Sequence, residues 1–200
     1  MRTFILRARK GSTRPERIKA QIGKEAHFEV VAHALINAFF VSNGFRQDVE
    51  MYVVLDSSED FPRTLKFSEG ISFSGFHELA MVEWVEKALR ESSGLKKDET
   101  RVIAPGLEIS GFGFERLVGN LLGTRPIYVL EPKGEDIRGI DLEPHPVFLL
   151  SDHLAMPAKT LKSFKRQGLR TLSLGKQMLF ASQCVTLIHY ELDQRGALEK

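Results

Sequence analysis

The sequence predicts an α/β fold in which a mainly parallel sheet has helices on both faces. Two observations lead to this prediction. Short apolar runs of the kind found in buried strands alternate along the chain with longer segments whose apolar residues recur at helical spacing. Several of the strands, such as residues 51–55 (MYVVL), are apolar without interruption, which is typical of a parallel sheet that is covered on both sides.

The elements of the first half follow from this periodicity. A strand at residues 3–6 leads into a basic stretch, residues 7–24, which contains glycine, serine and proline and lacks apolar periodicity. We therefore expect this stretch to be a mobile loop. A helix is predicted at residues 24–40, and a buried strand at residues 51–55 ends at Asp56. Two short strands and two helices are then predicted at residues 65–67, 71–73, 77–91 and 112–122.

The last third of the chain is predicted to hold three strands and two helices. The strands, at residues 126–132, 146–153 and 171–176, each run into a turn built from Gly, Pro, Ser or Asp. Because ligands of open α/β sheets bind at the carboxyl ends of strands, three such ends predict one composite pocket for a small molecule. The helices are predicted at residues 159–167 and 177–192.

Length and composition define the class of protein. With 200 residues, of which 42% are hydrophobic and 27% charged, the chain fits one domain, or one domain with an appendage. The single cysteine excludes an internal disulfide and a cysteine-based zinc cage. The sequence shows no charged-then-apolar leader and no apolar run near 18 residues long, so we expect a soluble, cytoplasmic protein without membrane contact.

Basic residues are concentrated in two segments. Residues 1–24 hold eight arginines or lysines and one acid, whereas the whole chain has a net charge of only +2. Residues 159–170 carry a second basic face without an acid. Such segments attract polyanions, although a solvated surface is the alternative. The candidate RNA-binding residues are Arg9, Lys10, Arg14, Arg17, Lys162, Lys165 and Arg166.

Two patterns that suggest known active sites fail on geometry. Residues 111–113 (GFG) are not followed by the third glycine of a dinucleotide-binding loop, and no clean strand precedes them, so a tight turn that opens the next helix is the better interpretation. Ser151, Asp152 and His153 are consecutive, whereas the members of a hydrolase triad converge from separate segments. Asp152 is better suited to orienting a ligand or to a structural role.

Thiol catalysis and metal binding are not supported by the helical spacing. Cys184 and His189 lie five residues apart, about 140° around a helix, so the thiol is expected to be a packing residue. His27 and His33 also diverge, and they lack the i, i+4 spacing of a helical metal site. We therefore expect no metal.

Motifs in both halves of the chain resemble those of one family. They lie at residues 148–153 (FLLSDH), 173–175 (SLG), 181–184 (ASQC) and 189–193 (HYELD), and in the first half at 2–5 (RTFI), 37–40 (NAFF) and 71–77 (ISFSGFH). In these motifs and their order the chain is similar to the archaeal tRNA pseudouridine-54 N1-methyltransferases, the TrmY family of the SPOUT superfamily. The resemblance spans nearly the whole chain.

The resemblance implies one domain, residues 1–200, with a C-terminal trefoil knot. A Rossmann-like part, residues 1–125, would carry the basic loop, and the knotted part, residues 126–200, would bind S-adenosyl-L-methionine. The family also implies a homodimer, in which the last helix packs near the partner subunit, and tRNA as the partner. The implied cofactor-binding residues are Leu130, Glu131, Leu150, Asp152, Leu174, Gly175, Leu179 and Cys184.

A mechanism can be framed for this reaction. The cofactor is already an activated methyl donor, so the protein needs only to align the reacting atoms and to favour the deprotonated nitrogen. We hypothesise that Asp56 accepts or orients the N1 proton, and that Arg7 or Arg9 stabilises the anion or holds the adjacent phosphate. A helix cap or a turn cap is the alternative role for Asp56. Methylation of pseudouridine in ribosomal RNA and a non-catalytic RNA-binding module remain alternative functions.

Overall fold

The computed structural model describes residues 1–24, 27–57 and 60–198, with side chains up to residue 196. Its strands are β1 (Arg2–Ala8), β2 (Phe40–Val41), β3 (Gly44–Phe45), β4 (Val49–Leu55), β5 (Arg63–Phe67), β6 (Thr100–Ala104), β7 (Leu107–Ser110), β8 (Ile127–Asp136), β9 (Val147–Ser151) and β10 (Arg170–Ser173). Its helices are α1 (Pro15–Gln21), α2 (His27–Phe39), α3 (Glu78–Glu91), α4 (Phe114–Leu121), α5 (Ala158–Arg166) and α6 (Ala181–Leu198).

Within these described ranges, eight strands form one mixed sheet in the order β10-β8-β9-β1-β4-β5-β7-β6. The first five strands in this order, from β10 to β4, are all parallel to one another. From β4 onwards the pairs are antiparallel, and β2 and β3 form a separate hairpin. The predicted α/β class with a mainly parallel sheet is confirmed, with an antiparallel extension that the periodicity did not reveal.

Helices cover both faces of the sheet, because side chains alternate along the central strands. On β1, Phe4 and Leu6 join one apolar cluster and Ile5 joins the other. The first cluster includes side chains from α1, α2, α3 and α6, and the second includes Phe114 of α4 and Phe164 of α5. This two-sided burial explains why the central strands are uniformly apolar.

The prediction that the basic segment 7–24 is a mobile loop was wrong. β1 continues through Ala8, and Pro15–Gln21 forms helix α1. Proline is well suited to the first turn of a helix, because the N–H that it lacks has no partner there in any case. The helix is anchored by one fully buried side chain, Ile18, so it leaves no periodic apolar pattern in the sequence.

Other boundaries also differ from the sequence predictions. Residues 71–73 form no strand, whereas β6 and β7 were missed and β7 leads directly into residues 111–113. Gly113 is the N-cap of α4, which agrees with a turn that opens that helix. The helix predicted at residues 24–40 is described from His27 onwards, residues 25 and 26 lying outside the described residues. The final helix begins at Ala181, four residues later than predicted.

His189 ties α6 to the core of the protein. One ring nitrogen lies 3.1 Å from Arg2 Nη1 and the other lies 3.1 Å from the Ala38 carbonyl oxygen. Because arginine only donates, Nδ1 is the acceptor and Nε2–H donates to Ala38. Burial, together with the positive charges of Arg46 and Arg2, lowers the pKa of His189 to about 3.

This buried imidazole is expected to make the fold sensitive to mild acid. Below pH 6.5 His189 becomes protonated in the unfolded chain, whereas in the folded chain it stays neutral down to about pH 3. The free energy of unfolding is therefore highest above pH 6.5 and falls as the pH drops below that value. At pH 5 the loss is expected to reach about 2 kcal/mol relative to pH 8. In urea unfolding, His189→Gln, which can still donate to Ala38, should lose less stability over this range than the wild type. Equal losses in the two proteins would contradict this interpretation.

Candidate active site between β8, β9 and α6

A cavity of about 400 Å³ lies between the middle of β8, the end of β9 and the start of α6. Such a volume lies in the usual range for small-molecule sites, roughly 300–1,000 Å³. Its walls are mostly apolar and come mainly from the middle of β8, the end of β9 with the turn that follows it, and the residues that lead into α6, with one residue each from α2 and α5. Its lining includes Val30, Leu130, Glu131, Pro132, Leu150, Asp152, His153, Ala155, Met156, Leu161, Met178, Leu179, Phe180 and Cys184.

The sheet is open on the β8 side of this cavity. β8 pairs with β9 only up to Val129, and β10 pairs with β8 through Tyr128 and Val129 and then again at Glu135 and Asp136. Residues 130–134 of β8 have no partner residue in either ladder. The ladder is therefore interrupted at Leu130 and Glu131, where β8 lines the cavity.

Of the three segments predicted as strand ends, those at residues 130–132 and 150–153 line the cavity, although β8 continues beyond the first of them to Asp136. Six of the eight predicted cofactor residues line the cavity, but Leu174 and Gly175 at the end of β10 do not. They form a turn that Ser173 braces: its hydroxyl donates to Pro132 O at 3.2 Å and accepts from the Gly175 amide at 3.1 Å. The turn after β10 therefore adjoins the wall, and the chain reaches the cavity at Met178, three residues after Gly175.

Asp152 joins the ends of β9 and β1. One carboxylate oxygen accepts the Arg9 amide at 3.0 Å, and the other accepts the Leu154 amide at 2.8 Å. The Asp152 amide in turn donates to Arg7 O at 3.1 Å. Asp152 is thus a buried structural acid that fixes the floor of the cavity and the direction in which the chain leaves β1.

Arg7, which is buried, and Asp56, which is half-buried, form an ion pair beside the cavity. Nε and Nη2 of Arg7 approach Oδ2 of Asp56 at 2.8 and 2.5 Å. Arg7 also pairs with Glu115 at 3.0 Å and lies over the Phe114 ring. Its Nη1 is 3.9 Å from the sulfur of Met156, which lines the cavity. Arg9 is at the rim, where its guanidinium donates to Ala155 O at 3.2 Å.

Comparison with known proteins places this arrangement in a family. A family model described as "Putative SAM-dependent RNA methyltransferase" matches residues 1–197. The chain belongs to this family. The predictions of a methyltransferase and of S-adenosylmethionine as its cofactor are thereby confirmed.

Curated relatives and a solved structure agree with this assignment. Proteins named "Putative pseudouridine methyltransferase" from Vibrio cholerae and Vibrio vulnificus are 44% and 47% identical, covering 98% and 96% of this chain and 99% and 98% of their own lengths. The crystal structure of Nep1 from Archaeoglobus fulgidus, bound to S-adenosylhomocysteine, matches with a TM-score of 0.63 at 12% identity. It covers 98% of this chain and 99% of Nep1, and it confirms the fold.

The single cysteine of the methyltransferase is an inert part of the cavity wall. Cys184 is partly buried, and burial raises the pKa of its thiol to about 11. His189, the nearest candidate base in sequence, has both ring nitrogens engaged elsewhere. A thiolate nucleophile is therefore not available at neutral pH.

Alkylation should report the protected state of this thiol. At pH 8 Cys184 is expected to react with iodoacetamide about 100-fold more slowly in the folded methyltransferase than in the urea-unfolded chain, because far less thiolate is present. Mass spectrometry of timed samples measures both rates. Similar rates in the folded and unfolded protein would contradict the burial of the thiol.

One group of potential metal ligands exists among the described residues, and spacing along a helix could not reveal it. His27, Asp152 and His153 offer ligand atoms that lie within 4.8 Å of one another, and the two imidazole rings are 4.7 Å apart. His27 lies on α2, far in sequence from the other two. Both oxygens of Asp152 already accept backbone amides, so the carboxylate has a role without a metal.

Of the seven predicted RNA-binding residues, Arg9 is half-buried and the other six are exposed: Lys10, Arg14, Arg17, Lys162, Lys165 and Arg166. Arg14 pairs with Asp60 at 2.9 Å, and Lys165 pairs with Glu131 at 2.8 Å. The Arg9–Ala155 contact brings the basic N-terminal segment to the turn that precedes α5. None of the described helices is both long enough and apolar enough to cross a bilayer.

Proposed function

We propose that the protein methylates N1 of pseudouridine at position 54 of tRNA, with S-adenosylmethionine as the methyl donor. One observation carries the proposal: the cavity between β8, β9 and α6 adjoins a largely buried arginine–carboxylate pair. The names of the Vibrio relatives support pseudouridine as the substrate, and the ligand in the Nep1 crystal supports the cofactor cavity. The choice of tRNA over ribosomal RNA is supported by the motifs at residues 148–153 and 189–193.

The residues at the cavity suit S-adenosylmethionine. Leu130, Leu150 and Leu179, with Cys184, offer an apolar slot for adenine. The backbone groups of Leu130 and Glu131, where the ladder is interrupted, can donate to and accept from its polar edge. We assign Asp152, Leu174 and Gly175 to the support of this slot, through the hydrogen bonds that fix the two turns.

The chain's own residues would then favour loss of the N1 proton. S-Adenosylmethionine supplies an electrophilic methyl group on a sulfonium sulfur. Asp56, held by two N–H groups of Arg7, presents a fixed acceptor that orients the N1–H of the base. Arg7 is balanced by Asp56 and Glu115, so it acts as a positioning residue. Arg9, at the rim, is placed to stabilise the developing anion or to hold a phosphate.

The proposal includes a homodimer in the cytoplasm, formed through the last helix. Met178, Phe180, Leu187 and Tyr190 leave large apolar surfaces exposed along α6 and the segment before it. Apolar patches of this kind mark protein interfaces. Because Met178 and Phe180 also line the cavity, a partner subunit packed there would help to close it. Leu187→Glu is expected to shift the protein towards monomer in analytical ultracentrifugation.

The proposal also treats residues 126–200 as the knotted part that the family resemblance implies. Its support is the passage of β10 beside residues 130–134 of β8. A Cβ atom on Gly134 would lie 2.6 Å from the Leu172 amide nitrogen and 2.7 Å from the Thr171 carbonyl carbon. β8 and β10 are therefore in closer contact at Gly134 than any residue with a side chain would allow.

Nucleoside mass spectrometry tests the reaction. The protein is incubated with labelled cofactor and tRNA transcripts, with and without prior pseudouridylation, and with a pseudouridylated ribosomal RNA fragment. N1-methylpseudouridine is expected at position 54 of the modified tRNA alone, and a chelator should leave the rate unchanged. Label in the ribosomal fragment alone would establish the alternative substrate. No label in any RNA, despite cofactor binding, would favour a non-catalytic RNA-binding module.

A further inference from the structure

A second cavity, of about 760 Å³, lies next to the Arg7–Asp56 pair. Gly113 lines it, and a Cβ atom on this glycine would be 3.4 Å from Oδ1 of Asp56. Met156 contacts Arg7 and lines the cofactor cavity. The ion pair therefore has a neighbour in each of the two cavities, and the second cavity is next to the place proposed for methyl transfer rather than at it.

The second cavity combines aromatic surface with positive charge. Phe61, 83% exposed, and Phe112 supply aromatic surface, and Pro62 and Leu95 add to its apolar lining. Four cations and one acid complete the lining: Arg63, Lys96, Lys97, Arg116 and Asp98. Aromatic rings beside several cations are how proteins bind single-stranded nucleic acid, because bases stack and phosphates pair with lysine and arginine.

The cationic segment of this cavity is held in place by backbone hydrogen bonds. The Asp98 amide donates to Gly111 O at 3.1 Å, and the Gly111 amide donates to Glu99 O at 2.8 Å. The Lys96 amide donates to the Glu99 carboxylate at 2.9 Å. Asp98 lies 3.4 Å from Arg116, so the acid is already paired and leaves the two lysines and Arg63 to act on a ligand.

We propose that the second cavity binds a nucleotide that flanks the methylated one, with its base stacked on Phe61 and its phosphates bound by Lys96 and Lys97. This inference rests on the proposed function, because a polymeric substrate whose target base lies at Asp56 has to continue past that site. The cations here lie outside the two basic segments that the sequence indicated. They would hold the RNA beside Asp56, at a cavity whose lining is separate from that of the cofactor cavity.

Two variants test this proposal by separating stacking from charge. Phe61→Ala is expected to weaken binding of a pseudouridine-containing stem–loop by about 5- to 150-fold, the range for loss of one base–aromatic stack. Lys96→Ala/Lys97→Ala should reduce the slope of log affinity against log salt by about 1.4, the value for two phosphate contacts on a single strand. Fluorescence anisotropy measures both effects. Two control variants change residues that do not line this cavity. Phe76→Ala removes a similarly exposed aromatic ring, and Lys87→Ala removes a lysine. Both should bind the stem–loop with the affinity of the wild type.

Calorimetry with S-adenosylhomocysteine distinguishes the failure of this inference from the failure of the proposed function. Both variants should bind it as the wild type does, and both should raise KM for RNA. If the wild type methylates RNA and the two variants keep its RNA affinity and KM, the flanking-nucleotide site is overturned while the proposed function stands. If the wild type binds S-adenosylhomocysteine but neither binds nor methylates any RNA, both proposals fail together.

Discussion

Asp56→Asn is expected to lower kcat by about 100- to 10,000-fold, the usual contribution of a positioned acid or base. Asparagine keeps the shape of the side chain and one oxygen acceptor, so Arg7 remains held between residue 56 and Glu115. What disappears is the negative charge that would draw the N1 proton from the base. Affinity for S-adenosylhomocysteine should be nearly unchanged, because Asp56 does not line the cofactor cavity.

Single-turnover methylation and calorimetry measure these two quantities. Asp48→Asn is the matched control, since it alters a carboxylate that accepts from Arg2 at 3.0 Å, remote from the cavity. This control should keep full activity. Unaltered turnover in Asp56→Asn would remove Asp56 from the mechanism, and a parallel loss of cofactor affinity would assign it a structural role instead.

Gly134→Ala is expected to destabilise the protein by about 3 kcal/mol or more, at or above the upper end for overpacking. The added Cβ would meet backbone atoms of Thr171 and Leu172 at 2.6–2.7 Å, and backbone cannot rotate away as a side chain can. β10 would have to move, and with it the turn that Ser173 braces against Pro132. Cofactor affinity should therefore fall together with stability.

Thermal unfolding followed by calorimetry checks this expectation, with a fall in Tm of about 10 °C for a chain of this size. Gly139→Ala is the control, because a Cβ at that position has no atom within 4 Å. The control should melt and bind as the wild type does. A Gly134→Ala protein with unchanged Tm would contradict the close passage of β10.

The sequence predicted those elements whose burial leaves a regular pattern. α2, α3, β4 and the strands of the last third were anticipated because apolar residues recur along them at helical spacing or in unbroken runs. α1 has one buried anchor, Ile18, and β6 is largely exposed, so neither produces a periodic signal. The Pro105-Gly106 turn between β6 and β7 was the one local sign of that hairpin.

The candidate site was predictable where a motif lies at a strand end and not where distant segments meet. Leu130, Leu150 and Cys184 reach one cavity as the resemblance implied. The links from Arg9 to Asp152 and from His27 to His153 join residues more than a hundred positions apart, which no spacing rule can reveal. The second cavity was missed for the same reason, since Phe61, Lys96 and Gly113 come from three separate loops.

Calorimetric titration of S-adenosylhomocysteine into the wild type and into Cys184→Phe tests the cofactor cavity most directly. Saturable binding with one site per chain is expected for the wild type. Phenylalanine at position 184 should fill the space between β8, β9 and α6 and abolish that binding, while circular dichroism shows an intact fold. Absence of binding to the wild type, or equal binding to both proteins, would contradict the assignment of this cavity to the methyl donor.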